Sequence, residues 1–315
     1  MKIFLTGATG AIGKTLVPML VAQGHEVTGT TTTEAKLGGL RSAGARGVVL
    51  DALDREAVVA AVRAAEPEVI VHEATGLAQI GNPRKMAKEF ALTNRLRSEG
   101  TDHLLDAARV VGVRRVVAQS FAGWPFAREG GPVKSEEDPL DPDPPEGLRP
   151  MLDAIKHLEG AVIAADGIVL RYGGFYGPGT GLDVGGAQAI AVRKRQFPIV
   201  AEGNGVWSLV HIEDAATATV AAIEHGAPGV YNIVDDEPAP VRDWLPVLAD
   251  SLGAKPPRRF PAWLTRLVAG EHTVVMLNES RGASNAKAKR ELGWAPAHPS
   301  WREGFRELGA PASPG

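Results

Sequence analysis

The tightest constraint lies in the first thirteen residues. Ile3-Phe4-Leu5-Thr6 is an apolar run of strand length. It passes without a spacer into Gly7-Ala8-Thr9-Gly10-Ala11-Ile12-Gly13, which opens a helical pattern reaching Gln23. A strand, a glycine turn and a helix in that order leave the first N–H groups of the helix free. They also aim the positive end of its dipole at an anion, as diphosphate sites require. Gly7 permits the tight turn, Gly10 lets backbone approach a diphosphate, and Gly13 lets the helix pack against the strand. Gly13-Lys14-Thr15 resembles the end of a triphosphate-binding loop. That motif needs glycine at position 8, where this chain has alanine. Dinucleotide binding is therefore the expectation, with a purely structural turn as the alternative. The expected coenzyme contacts here are Gly7, Thr9, Gly10, Ala11, Ile12 and Gly13.

The pattern then repeats. Strands are expected at Glu26–Thr30, Val48–Leu50, Val69–His72, Val116–Gln119, Ile168–Arg171 and Val230–Val234. Between them lie longer helical stretches, one capped by Asp54, one from about Pro83 to Val111, and one from about Pro150. Strands alternating with helices predict an α/β fold of Rossmann type: a doubly wound parallel sheet with a smaller C-terminal substrate domain. The dinucleotide-binding domain is expected over 1–180, with 208–235 returning to it, and the substrate domain over 181–207 and 236–315. Pro18 conflicts with the first helix and is expected near its first turns, with a kink. Gly123 to Arg149, rich in proline, is expected as a long surface loop. Helices are expected near Gly186–Arg195, Asp214–His225, Val241–Leu252 and Asn285–Leu292.

Composition excludes other classes. With no cysteine among 315 residues, disulfide scaffolds, thiolate metal sites and cysteine nucleophiles are ruled out. A net charge of -3 without a basic run gives no nucleic-acid footprint. No apolar stretch approaches the roughly 20 residues that span a bilayer. The opening segment lacks a signal peptide's apolar core. A cytoplasmic location, a small-molecule substrate and no nucleic-acid or membrane partner are expected.

Thr6-Gly7-Ala8-Thr9-Gly10-Ala11-Ile12-Gly13 resembles the T-G-x-x-G-x-x-G signature of the extended short-chain dehydrogenases/reductases, which include sugar-nucleotide epimerases and dehydratases. The resemblance continues through Leu50-Asp51-Ala52-Leu53-Asp54, Val71-His72-Glu73-Ala74-Thr75 and Gly100-Thr101-Asp102-His103-Leu104-Leu105-Asp106-Ala107-Ala108. It then runs on to Arg171-Tyr172-Gly173-Gly174-Phe175-Tyr176-Gly177-Pro178-Gly179, His211-Ile212-Glu213-Asp214-Ala215-Ala216 and Asn285 to Trp294. It implies coenzyme contacts from Asp51, Ala52, Ala74, Thr75 and Gly174, and dimers formed by the helices near Asp106 and Lys156.

NAD-binding folds usually end strand 2 in an acid that binds the ribose hydroxyl. Here that strand ends in Thr30-Thr31-Thr32-Thr33, with Glu34 beyond. Thr30 and Thr31 can accept a 2′-phosphate without repulsion, so NADP(H) is favoured over NAD(H). No arginine stands at the usual place, although Arg41 lies further along. A solvated threonine turn is the alternative.

The family's proton relay is a tyrosine, a lysine four residues later and a serine. The resemblance places the serine at Ser120 and the lysine at Lys156, the latter also a coenzyme contact. Leu152 stands where the tyrosine belongs, and none of the three tyrosines has lysine four residues on. Arg97 replaces the family's asparagine ahead of Gly100-Thr101. Ser120, Trp124 and Tyr176 are the expected substrate contacts, Trp124 with a packed loop anchor as its alternative. Three proton sources remain open: the substrate itself, another side chain (Ser120, Asp153 or Tyr176), or water. The leading expectation is an NADPH-dependent ketoreductase of an aromatic small molecule with a substrate-assisted proton. The alternatives are a sugar-nucleotide epimerase or dehydratase, which would need the missing base, and a non-catalytic NADP(H) sensor. His72 reads as a hydrogen-bonded core histidine, His157 and Glu159 as solvated, and Trp207, Trp244, Trp294 and Trp301 as packing residues. Asp214 suits a helix N-terminus, and no metal site is expected at His211, Glu213 and Asp214.

Overall fold

A computed structural model describes residues 1–77 and 86–309. Seven parallel strands form the central sheet: β1 (Lys2–Thr6), β2 (Glu26–Thr31), β3 (Arg46–Val49), β4 (Val69–His72), β5 (Arg115–Phe121), β6 (Ile168–Tyr172) and β7 (Gly229–Ile233). Their spatial order is β7-β6-β5-β4-β1-β2-β3. The order reverses beside β1, where a crevice opens at the carboxyl ends of the strands.

Helix α1 (Ala11–Ala22) and α7 (Ile212–Glu224) cover one face. On the other lie α3 (Arg55–Ala65), α5 (Thr101–Val111) and α6 (Arg149–Ala164). The short helix α2 (Leu37–Ser42) flanks β3, and α4 (Met86–Arg95) leads towards α5. Ile3 and Leu5 pack with Ile12, Leu16 and Leu20 of α1, whereas Phe4 packs with Val58, Val62, Leu104 and Leu105. Burial on both faces explains why β1 reads as a continuous apolar run rather than an alternating one.

A second core joins Tyr176, Val192, Trp244, Leu248, Trp301 and Phe305 beyond the sheet. Helices run over Ala187–Arg193, Val241–Ser251 and Ala286–Glu291, within the expected stretches.

Three local expectations are corrected. Pro18 is in the middle of α1, not near its first turns, and is exposed. The bond it cannot make leaves the carbonyl of exposed Lys14 to water. The stretch expected from Pro83 to Val111 begins outside the described residues, and a π-turn at Leu96–Gly100 separates α4 from α5. The segment from Gly123 to Arg149 is more than a surface loop. Val133–Lys134 pairs with Gly282–Ala283, and Phe126 is buried. Gly112, at φ 72, ends α5 where a side chain would be strained.

Candidate coenzyme and substrate site

Gly7 takes φ +76, and a Cβ there would lie 2.5 Å from the carbonyl of Glu73 at the end of β4. A Cβ on Gly13 would lie 2.4 Å from the carbonyl oxygen of Gly7. Only glycine lets the loop close this tightly. Gly10 caps α1 without any side-chain hydrogen bond, so no side chain competes for the first N–H groups. This cradle fits a diphosphate. The Thr9 hydroxyl lies 3.4 Å from that of Thr31, tying the loop to the end of β2. Thr30 and Thr31 are buried; Thr32, Thr33 and Glu34 are exposed. Asp51 is exposed, its carboxylate accepting from the Leu53 N–H, and Asp54 caps α3. Ala52 is buried, and Ala74 and Thr75 are half-buried beyond β4.

His72 lies beneath the loop, 3% exposed, with Nδ1 2.8 Å from Thr6 Oγ1 and Nε2 3.1 Å from the Leu96 carbonyl oxygen. Nε2–H therefore donates and Nδ1 accepts. Burial pushes its pKa down to about 4, as suits a neutral core histidine. Glu73 is also buried and accepts a hydrogen bond from the Tyr172 hydroxyl, and burial lifts its pKa to about 8.

At the end of β5 a small pocket is lined by Phe121, Trp124, Gly174, Trp207 and Met276, with Ala122, Gly123, Ser208 and Ser280. Both serine hydroxyls are engaged. Ser208 Oγ donates to the Ala283 carbonyl and accepts from its N–H, and Ser280 Oγ donates to the carbonyls of Val275 and Met276. Trp124 also packs against Met151, Leu152 and Ile155 of α6. The ring of Trp207 leans on Trp244, and its N–H bonds the Met276 carbonyl. Trp207 thus lines the pocket as well as packing. Another cleft, lined by Lys2, Glu26 and Arg46, lies at the amino ends of the strands, away from the glycine loop.

The expected catalytic pair is not brought together at this pocket. Side chains alternate along β5, so Ser120 turns towards α6 while Phe121 meets the pocket. Ser120 Oγ donates to Glu159 Oε1 at 2.6 Å, and Arg171 grips Glu159 at 2.8 and 2.6 Å. Glu159, expected in solvent, is 7% exposed inside this cluster. Lys156 is exposed, with Nζ donating to the Asp141 carbonyl. Its helical phase puts apolar Met151, Leu152 and Ile155 inward instead. Asp153 is exposed as well. Tyr176 does not reach the pocket either. It is fully buried against His211 and Phe305, and burial pushes its hydroxyl well above the usual phenol range. Two residues before it, Gly174 lines the pocket.

His211, Glu213 and His298 approach one another. His211 Nδ1 accepts from the Glu213 N–H as the cap of α7, which places its proton on Nε2. Nε2 faces Gly177, where even a Cβ would lie 2.3 Å away. Asp214 receives the N–H groups of Ala297 and His298. This geometry is that of a helix cap joined to a loop.

The NAD-dependent epimerase/dehydratase family model matches residues 3–234. The chain belongs to this family. It is 46% identical over 308 residues to a 3-diazoavenalumate denitrifying reductase from a Streptomyces species, covering 97% of this chain and 99% of that one. A 4-hydroxy-2-methyl-3-oxo-4-farnesyl-3,4-dihydroquinoline-1-oxide ketoreductase from Stigmatella aurantiaca is 27% identical, with 100% and 98% covered. Among solved structures, the UDP-glucose 4-epimerase of Thermotoga maritima superposes with a TM-score of 0.77 at 22% identity, over 98% and 97% of the two chains. That likeness is one of fold. The protein is an oxidoreductase of the extended short-chain dehydrogenase/reductase type that takes a nicotinamide coenzyme. Among the described residues, no helix is long and apolar enough to cross a membrane.

Proposed function

We propose that this protein is an NADPH-dependent reductase that transfers hydride to a planar aromatic substrate without a protein proton donor. One observation carries this reading: the pocket is lined by aliphatic, aromatic and thioether side chains and by two serines already hydrogen-bonded to backbone, with no ionisable side chain among them. The coenzyme supplies a hydride. Phe121, Trp124 and Trp207 offer faces and edges for an aromatic ring, and Met276 fills the remaining side with an adaptable thioether.

The acceptor that suits such a pocket is an aryl diazo group. In the sum, an arenediazonium ion and NADPH give the arene, dinitrogen and NADP+. A C–H bond forms with the hydride pair, the C–N bond breaks with its pair leaving on dinitrogen, and no proton is consumed. The 46%-identical relative named a denitrifying reductase of a diazo compound supports this choice. A ketone would need a proton as well, which a neighbouring phenol on the substrate could supply. The relative named a ketoreductase keeps that second acceptor in view. The preference for NADPH rests on the threonine end of β2, where no carboxylate precedes exposed Glu34.

The test is incubation of the purified protein with a hydroxyaryl diazo acid and NADPH deuterated at C4. Dinitrogen release, one deuterium on the arene carbon and loss of absorbance from the reduced coenzyme are expected, with phenolic ketones slower. Turnover of ketones or sugar nucleotides with the diazo acid untouched overturns the proposal. Tighter binding of NADH than NADPH overturns the coenzyme preference alone.

A further inference from the structure

Arg97 lies in the π-turn Leu96–Gly100, in the position where the sequence departs from the family's asparagine. π-Turns within helices recur at functional sites. The residue is 4% exposed, and its Nε is buried without a hydrogen-bond partner. Among the described residues its guanidinium makes no ion pair. The nearby carboxylate, Glu159, is already gripped in bidentate fashion by Arg171 and bonded by Ser120. Arg97 is thus left without a carboxylate of its own. Burial lowers the Arg97 pKa to about 10 even with Glu159 opposing the change. A buried cation without a partner is costly, and a chain keeps one where a ligand completes it.

Its place identifies that ligand. The carbonyl of Leu96, next in the chain, is held by His72, whose other nitrogen meets Thr6 at the root of the glycine loop. Arg97 therefore flanks the end of β4, between the loop on β1 and the pocket on β5. It is not among the residues lining that pocket. A dinucleotide with its diphosphate on the loop must cross β4 to present its nicotinamide at β5.

We propose that Arg97 is a coenzyme-binding residue whose guanidinium donates to oxygen atoms on the nicotinamide riboside half, replacing the cation that α6 turns outward as Lys156. The inference rests on the reductase reading. Its test uses the full chain with Arg97→Met and Arg97→Lys, measuring NADPH affinity, 2′,5′-ADP affinity, substrate KM and ligand-free Tm.

Arg97→Met should weaken NADPH about ten- to a hundredfold, the effect of losing a charge-assisted hydrogen bond. Binding of 2′,5′-ADP, which lacks the nicotinamide riboside, should stay unchanged, and ligand-free Tm should hold or rise. Arg97→Lys should bind NADPH with intermediate affinity and guards against a misfolded methionine variant. Unchanged NADPH affinity in Arg97→Met, an equal loss for both ligands, or a lower Tm with affinity intact overturns the inference. So does a rise in substrate KM alone, which would give Arg97 to the substrate. Wild-type protein that binds neither NADPH nor NADH sinks the reductase reading itself, a separate outcome.

Discussion

The glycine loop and the inward face of α6 carry opposite chemistry. The loop has no side chain beyond Thr9 to offer, and everything it presents is backbone: a left-handed Gly7, an uncapped Gly10 and a Gly13 too close to its neighbours for a Cβ. The α6 face presents apolar Met151, Leu152 and Ile155, keeps its one buried carboxylate, Glu159, in the grip of Arg171 and Ser120, and turns Asp153 and Lys156 to water. Backbone amides bind a coenzyme whatever the substrate, whereas a general acid is needed only when the product must gain a proton. A chain can keep the first and lose the second when its reaction ends at hydride. On the proposed reading, coenzyme binding and proton transfer are separable parts of this fold.

The largest expected effect on coenzyme affinity lies on the loop side. Gly7→Ala adds a Cβ where Glu73 backbone stands 2.5 Å away, in a backbone conformation that costs an L-residue roughly 1–2 kcal/mol. Coenzyme affinity should fall by at least about a hundredfold, equivalent to about 2.7 kcal/mol. Titration with NADPH checks this, and wild-type affinity in the variant would remove the loop from the coenzyme site.

Next comes the cluster behind α6. Glu159→Gln leaves buried Arg171 without its carboxylate and should lower stability by about 3–5 kcal/mol, read by denaturant unfolding. Ser120→Ala removes one hydrogen bond to the same charge, worth about 1.5–3 kcal/mol. Turnover should stay within about threefold of wild type, because loss of a general acid–base group typically costs 10²–10⁴-fold. A loss of that size would restore Ser120 to the chemistry and break the contrast between the two sides.

Those residues also mark how far the sequence could be read. The glycine loop, the seven strands and the cap at Asp54 follow from local rules: period, glycine spacing and capping chemistry. Ser120 and Lys156 follow instead from spacing to a motif whose tyrosine is missing, and a shift of one residue reverses a strand's facing. The structure makes that shift visible, with Phe121 at the pocket and Ser120 on Glu159. Glu159 and Arg171 are 12 residues apart, and nothing in the local pattern of α6 separates a buried glutamate from a solvated one. A signal existed in the arginine of Arg171-Tyr172, a charge inside an apolar strand that needs a buried partner. Tyr176 was beyond local reach, because its burial depends on the helix Trp301–Gly309, more than a hundred residues later.

A smaller effect tests whether the tyrosine could simply be returned. Leu152 is fully buried against Trp124, Met151 and Ile155. Leu152→Tyr overfills this cluster and should lower stability by about 1–3 kcal/mol. Ketone reduction should not rise above the wild-type rate, since the new hydroxyl would face packed side chains. Ketone turnover faster in the variant than in the wild type, followed through NADPH absorbance, would show that position 152 does look into the reaction.

A last effect is on stability against pH, and one of its groups, Glu73, lies beside the loop. Burial raises Glu73 and Asp235 to about 8, so the folded chain keeps two protons that the unfolded chain releases above about pH 4. Their contribution is full at low pH and declines as pH rises to about 8. His72 works in the opposite direction. It is lowered to about 4, so its contribution is full above pH 6.5 and is lost on acidification towards 4. Between pH 4 and 6.5 the terms oppose one another; above 6.5 only the carboxyls act. Tm should therefore fall from pH 6.5 to 8. Glu73→Gln removes one of the two titrations and should make that fall shallower, while Tyr172 keeps an oxygen to donate to. Equal slopes in the two proteins would mean that Glu73 is ionised beneath the loop, where its charge would oppose a diphosphate seated at Gly10.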